Sequence, residues 1–162
     1  MKPILFILFL VSFNCLFAQD KAKLQKQVIT IMTDYPNHFK NLQAIEDSFH
    51  LKFNISGSTD QPMILSFNKN YFVVAQLPMP ASETEAKNLF EKWVSLINSL
   101  DLNGAKLKAM NCTPGKYSEF CKQWKFDNSN ENIASNYLNF TIQVEIIKFQ
   151  STFAATLKLG NP

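Results

Sequence analysis

The sequence contains no arginine, and all sixteen of its basic residues are lysine. Arginine is the residue that proteins prefer for paired hydrogen bonds to phosphate groups and to guanine edges. Its absence argues against sequence-specific binding of nucleic acid, although a codon bias towards lysine and asparagine explains the same composition. The formal net charge is only +3, which is too small to indicate a partner by itself.

The residue types that build catalytic and metal sites are also scarce. The chain has two histidines, three cysteines and four glycines. It contains none of the P-loop, dinucleotide-binding, zinc-protease or nucleophile-elbow motifs. A structural zinc site needs about four ligands, and two distant histidines with one close pair of cysteines do not supply them. We expect no metal and no cofactor.

Residues 1–19 have the pattern of a signal peptide that is removed on export. Lys2 supplies a positive charge, the apolar run Ile4–Phe13 follows, and the small residue Ala18 precedes a polar stretch. The apolar run is shorter than the roughly 20 residues of a membrane-spanning helix. We therefore predict one mature domain, residues 20–162, which is exported to the periplasm or out of the cell and has no transmembrane span.

Two other interpretations of this first segment remain open. Cys15 could carry a lipid anchor, but lipoprotein signals have small residues directly before the cysteine, and Phe13 and Asn14 precede it here. Alternatively, the segment stays attached as a membrane anchor. Cleavage near residue 19 agrees best with the order of charge, apolar run and small residue.

Removal of the signal segment leaves two cysteines, Cys112 and Cys121. An even number of closely spaced cysteines in an exported chain indicates a disulfide. If the two residues face each other across a hairpin, Lys108 lies opposite Lys125, and the apolar residues of both strands share the other face. The disulfide and the strand alternation therefore predict the same register.

The first half of the mature chain is predicted to form a helix and a three-stranded meander. Apolar residues recur at helical spacing over residues 20–35, and Pro36 ends this pattern. The period then changes to two, which predicts strands over residues 49–55, 63–67 and 71–77.

The second half begins with the clearest helix of the sequence. Ser82 and Glu85 form a capping box ahead of an apolar stripe, and Asn103 and Gly104 are the predicted C-cap. Alternation predicts further strands near residues 105–112, 117–126, 137–149 and 153–159. Helices are too few for a parallel sheet, so we predict an α+β fold of order α-βββ-α-ββββ. Its single curved antiparallel sheet has about 6–7 strands, with two helices packed on one face.

Lysines concentrate around the predicted disulfide. Between residues 102 and 126 there are five lysines and one acid. The candidate basic patch consists of Lys106, Lys108, Lys122 and Lys125. Lysines placed opposite each other on neighbouring strands repel unless an anion or an acidic partner lies there. The patch indicates an acidic glycan, an anionic surface or a partner protein, or else a solvated sheet face on which lysine prevents edge pairing.

A polar cluster where the first helix ends is a candidate catalytic site. It contains Asp34, Tyr35 and His38. An aspartate beside a histidine could act as an acid–base pair in a hydrolase. Aspartate and asparagine are also ordinary residues of helix ends and turns, which favours a structural role for the cluster.

These features favour a binding protein over an enzyme. The leading expectation is an exported, non-enzymatic domain that binds an unidentified protein or an anionic surface through its sheet face. One alternative is the carriage of a small apolar ligand between sheet and helices, since the chain is rich in phenylalanine. Another is a hydrolase that uses His38 with Asp34.

Overall fold

The computed structural model describes residues 20–112, 115–127 and 137–162. The predicted signal segment and the polar stretch of residues 128–136 lie outside the described residues. Within the described ranges the chain forms two α-helices, the short 3-10 helices Tyr35–Asn37 and Lys40–Leu42, and one β-sheet.

Six antiparallel strands form one curved sheet in the described part of the chain. They are β1 (Met63–Phe67), β2 (Asn70–Leu77), β3 (Leu107–Met110), β4 (Ser118–Phe126), β5 (Thr141–Phe149) and β6 (Thr152–Gly160). Their order across the sheet is β1-β2-β6-β5-β4-β3. The α+β class and the single antiparallel sheet with two helices are confirmed, and the order of elements roughly matches the prediction.

One predicted strand is reduced to isolated bridges. Residues 49–55 pair only at His50 and Leu51, and the amide of Ile64 donates to the carbonyl oxygen of Phe49 at 2.7 Å. Leu51 is nonetheless fully buried. Ile55 is buried as well, but Phe49 of the same alternating set is 68% exposed. A strand needs a neighbour that pairs along its length, and this segment pairs at two bridges.

Helix α1 covers residues 20–34 of the described chain. Its apolar stripe is buried as predicted, and Leu24, Val28 and Ile31 are all 0% exposed. A 3-10 turn that contains Pro36 follows directly, because proline cannot continue the hydrogen-bond ladder of the helix.

Helix α2 (Glu83–Asn98) begins at the predicted capping box, where the Ser82 hydroxyl accepts a hydrogen bond from the amide of Glu85 at 3.2 Å. It ends earlier than predicted, with Ser99 as its C-cap, and Gly104 lies in the next turn. The Ser99 hydroxyl donates to a carbonyl of the last helical turn at 2.8 Å, so this end needs no glycine cap. In the described ranges, neither helix is long and apolar enough to cross a membrane.

Both helices lie on the same side of the sheet. Phe90 of α2 stacks on Phe120 of β4 with ring centroids 5.5 Å apart, and the indole nitrogen of Trp124 donates to the Asn98 side chain at 2.8 Å. The buried stripe of α1 joins the same core cluster. We call this side the helix face and the other side the open face; consecutive residues of each strand alternate between them.

Candidate functional site

The open face is formed by every second side chain of the six strands. From β1 to β3 its side chains include Met63, Leu65, Phe67, Phe72, Val74, Lys158, Thr156, Thr141, Gln143, Glu145, Cys121, Gln123, Lys125, Met110 and Lys108. Its chemistry changes across the sheet, from apolar at β1 and β2, through polar side chains and an ion pair at β6 and β5, to basic at β4 and β3.

The basic end of the open face has the predicted register. Cys112 and Cys121 are bonded through their sulfur atoms, with Cα atoms 5.7 Å apart. Lys108 lies directly opposite Lys125 in the β3–β4 pair. Both predictions are confirmed, because a hairpin register that brings the two cysteines together also fixes which residues face each other.

Not all four lysines of the candidate basic patch belong to one surface. Lys108 and Lys125 share the open face, and Lys106 precedes β3, where its carbonyl accepts from the amide of Asp127 at 2.9 Å. Lys122 pairs with Val144 on the helix face, so it does not share the open face with Lys108 and Lys125. Strand alternation explains this, because Lys122 is an odd number of residues from Lys125.

The middle of the open face holds an ion pair that the sequence did not reveal. The ammonium group of Lys158 on β6 donates to the Glu145 carboxylate on β5 at 2.7 Å, and the Gln143 amide also donates to it at 3.3 Å. Glu145 is only 5% exposed. Its charge is therefore neutralised locally, and the lysines at the β3–β4 end are the charges that this face offers to a partner.

The opposite end of the open face is apolar and accessible. Met63, Leu65 and Phe67 of β1 are 42%, 37% and 68% exposed. Phe72 and Val74 of β2 lie beside them and are half-buried. Exposed apolar side chains that lie next to each other, rather than singly, are typical of interaction surfaces.

Asp34 stabilises the turn after α1 rather than standing free in a cleft. Its buried carboxylate accepts hydrogen bonds from the side chain of Asn37 (3.1 Å) and from the backbone and side chain of Asn41 (3.0 and 2.6 Å). His38 instead stacks on Tyr71, with ring centroids 4.1 Å apart. Burial raises the pKa of Tyr35. The three residues of the candidate catalytic cluster thus contact different partners, and this arrangement explains them as turn and packing residues.

Replacing Asp34 by alanine is expected to lower the free energy of unfolding by about 2 kcal/mol, because the three donors lose a charged acceptor. His38→Ala, which removes one ring contact, should cost about 1 kcal/mol or less. Urea unfolding of the two variants beside the parent protein measures both effects. A smaller loss for Asp34→Ala than for His38→Ala would contradict this structural role.

The second histidine takes part in a contact that sequence reasoning missed. The Nδ1 atom of His50 lies 2.5 Å from a carboxylate oxygen of Asp47. A hydrogen bond from the amide of Phe49, followed by the one with His50, lowers the pKa of Asp47. The separation of three residues between Asp47 and His50 was the signal in the sequence that could have indicated this contact. Both side chains are partly exposed, and we assign the pair to the geometry of this turn.

The space between sheet and helices, where a small apolar ligand was an alternative, is occupied by side chains of the chain itself. Trp124, Phe140, Ile142, Val144 and Leu157 are each 1% exposed or less. They come from strands β4, β5 and β6 and from the turn before β5. This layer is the protein core.

Across the described ranges, no group of three or more His, Cys, Asp and Glu side chains is arranged to hold a metal ion. Searches with this chain against protein-family models, curated proteins and solved structures each returned no match. The site therefore has to be interpreted from its own geometry.

Proposed function

We propose that this chain is an exported, non-enzymatic binding protein that holds a partner protein on the open face of its sheet. The observation that carries the proposal is the composition of that face. It has exposed apolar side chains at β1 and two opposed lysines at β3 and β4, while the helices and the core occupy the other face. The bond between Cys112 and Cys121 is compatible with export.

The distance between the apolar end and the basic end of the open face suits a protein partner. Six strands spaced by about 4.8 Å place the axes of β1 and β3 about 24 Å apart, and nine-residue strands are about 30 Å long. The middle of the face offers little surface, because Thr141, Gln143 and Glu145 are only 2%, 8% and 5% exposed, so the partner would bridge the apolar end and the basic end.

The change from apolar to basic side chains across the open face indicates which groups the surface of the partner carries. One row of paired residues runs from Leu65 and Phe72 through Gly160 and Thr141 to Lys125, and it ends at Lys108. A glycan would complement only the lysine end, whereas a protein can offer an apolar patch and, about 20 Å away, an acidic one. We therefore favour a protein whose surface combines the two.

The opposed lysines support an acidic group on that partner. Like charges directly opposite on neighbouring strands are unfavourable, and an acidic side chain between them would relieve the repulsion. Charges at the edge of an interface mainly accelerate association and select the partner. Binding should therefore weaken as salt rises, since the screening length falls from about 8 Å at 0.15 M to about 3 Å at 1 M salt.

Two variants of the open face test the proposal. Lys108→Glu with Lys125→Glu reverses the basic end, and Phe67→Ser removes the most exposed apolar group of β1. Each should weaken capture of the partner from an extract of exported host proteins by about tenfold or more. The measurement is quantitative mass spectrometry of proteins retained on the immobilised chain, over a series of protein concentrations and at two salt concentrations.

The matched control is Lys23→Glu with Lys40→Glu, which makes the same change of charge at two exposed positions on and after α1. The proposal is supported if the parent and this control retain the same protein and both open-face variants lose it. It is overturned if the same proteins remain on all four chains. It is also overturned if heparin or anionic phospholipid vesicles bind as tightly as any protein and depend only on Lys108 and Lys125, since the partner would then be a polyanion.

A further inference from the structure

Strand β3 lies at one edge of the sheet and has little contact with the core. It has four residues and pairs with β4 alone. Leu107 is half-buried against the core, whereas Lys108, Ala109 and Met110 are exposed. Elements that bury few apolar side chains and expose their backbone hydrogen bonds are the first to open in a folded protein. The packing of its side chains therefore holds β3 only weakly.

The pairing of β3 with β4 also includes an unfavourable contact. Lys108 lies directly opposite Lys125 on the open face. Neither ammonium group has an ion-pair partner among the residues that the structure describes. Like charges directly opposite each other on neighbouring strands destabilise the pair of strands. The two side chains that make this end of the open face basic therefore also favour the separation of β3 from β4.

The segment that contains β3 is anchored on both sides. On the N-terminal side, Leu102 is 1% exposed, and the carbonyl of Lys106 accepts from the amide of Asp127 at 2.9 Å. On the C-terminal side, the anchor is the bond between Cys112 and Cys121. Cys121 belongs to β4, which pairs with β5 over most of its length. The disulfide thus ties the free end of β3 to the centre of the sheet.

Loss of this bond would leave β3 anchored on one side. A disulfide that closes a loop of about ten residues favours the closed arrangement by about a hundredfold over the free chain. Without it, four backbone pairs and the half-buried Leu107 have to hold the strand against the repulsion between Lys108 and Lys125. The bond is therefore the interaction on which the position of Lys108 depends.

We infer that the bond between Cys112 and Cys121 controls partner binding at the open face. In the oxidised chain, β3 is paired and Lys108 lies opposite Lys125; in the reduced chain, β3 separates from β4 and the basic end of the face is lost. This inference rests on the proposed function, because it concerns the regulation of the same surface. An exported chain is made with reduced cysteines and is oxidised afterwards, so binding begins only after export.

Oxidation of the two cysteines proceeds by exchange with a disulfide-bearing oxidant. The thiolate of one cysteine attacks a sulfur of that disulfide and forms a mixed disulfide, and the other cysteine then displaces the oxidant. The bond between Cys112 and Cys121 forms as the disulfide of the oxidant breaks. Two electrons and two protons pass from the cysteine pair to the oxidant, which leaves as two thiols. A dithiol reductant reverses the step.

Amide exchange measured by NMR tests whether β3 separates. The amides of β3 that donate to β4 should exchange about a hundredfold faster in the reduced parent, and in Cys112→Ser with Cys121→Ser, than in the oxidised parent. The amides of β5 and β6 should persist in all three forms, which shows that each form is folded. If the amides of β3 persist in the reduced chain as long as those of β6, the inference is overturned.

A charge variant of the double serine chain tests the role of the opposed lysines. Lys108→Glu replaces a repulsive pair by an attractive one, so the amides of β3 should exchange about fivefold more slowly than in the double serine chain itself. Lys106→Glu, which makes the same change of charge just before the strand, is the matched control and should leave the exchange rates unchanged. Equal effects of the two variants, including no effect, would contradict the role given to the repulsion.

Capture from an extract of exported host proteins, without reductant, tests the regulation. The double serine chain should retain at least about tenfold less of the partner than the oxidised parent. If β3 is separated in the serine chain and the same amount of partner is retained, the regulation is overturned, but a partner at the open face is not. If the oxidised parent retains no protein that depends on open-face residues, the proposed function is overturned, and the regulation with it.

Discussion

Replacement of Gly160 by alanine is expected to lower the free energy of unfolding by about 4 kcal/mol. Gly160 has a φ of +127° in β6, between Phe72 of β2 and Thr141 of β5. A Cβ there would lie 2.5 Å from the carbonyl oxygen of Tyr71 and 2.8 Å from the Cα of Phe72. Backbone strain of about 1 to 3 kcal/mol adds to a steric cost of similar size, since both contacts are with main-chain atoms that cannot rotate away.

Gly104→Ala separates these two contributions. Gly104 also has a positive φ, +78°, but no atom lies within 4 Å of its ideal Cβ position. This variant should therefore lose only the conformational part, about 1 to 2 kcal/mol. Urea unfolding of both variants measures the difference. If Gly160→Ala cost no more than Gly104→Ala, the close approach between β6 and β2 would be wrong.

Reduction of the bond between Cys112 and Cys121 is expected to lower the free energy of unfolding by about 2.7 kcal/mol. The two residues are nine positions apart, and closing a loop of about ten residues restricts the unfolded chain by roughly that amount. Cys112→Ser with Cys121→Ser should reproduce the loss without a reductant. Urea unfolding with and without reductant checks both forms of the experiment.

The double serine variant also serves as the control for the reductant. Its stability should not change when reductant is added, whereas that of the parent should fall to nearly the same value. Mass spectrometry of the oxidised parent should detect no free thiol at either cysteine. Two alkylated thiols in the protein isolated from an oxidising compartment would contradict the disulfide and would weaken the case for export.

The sequence predicted one of the two largest effects on stability, that of the disulfide, but not the other, that of Gly160. The pairing of Cys112 with Cys121 followed from their spacing and from the alternation of the adjacent strands. The importance of Gly160 did not, because it looks like an ordinary residue at the end of a strand. Only the approach of β2, more than eighty residues earlier in the chain, makes a side chain there intolerable.

The candidate sites also include features that the sequence predicts and features that only the fold decides. Alternation alone places Lys108 and Lys125 on one face and Lys122 on the other, so this part of the arrangement follows from the sequence. By contrast, Asp34 is adjacent to Tyr35 and near His38 in sequence, yet its carboxylate contacts Asn37 and Asn41. Proximity along the chain does not determine which donors a carboxylate meets when a turn folds back on itself.

The sequence by itself determined the classes of element, the α+β fold and the hairpin register at the disulfide, because hydrophobic period and residue spacing act locally. The tertiary structure decided that residues 49–55 form bridges rather than a strand. It also paired Glu145 with Lys158. These outcomes depend on which strands, turns and helices meet in the folded chain, and packing, rather than local preference, selects those contacts.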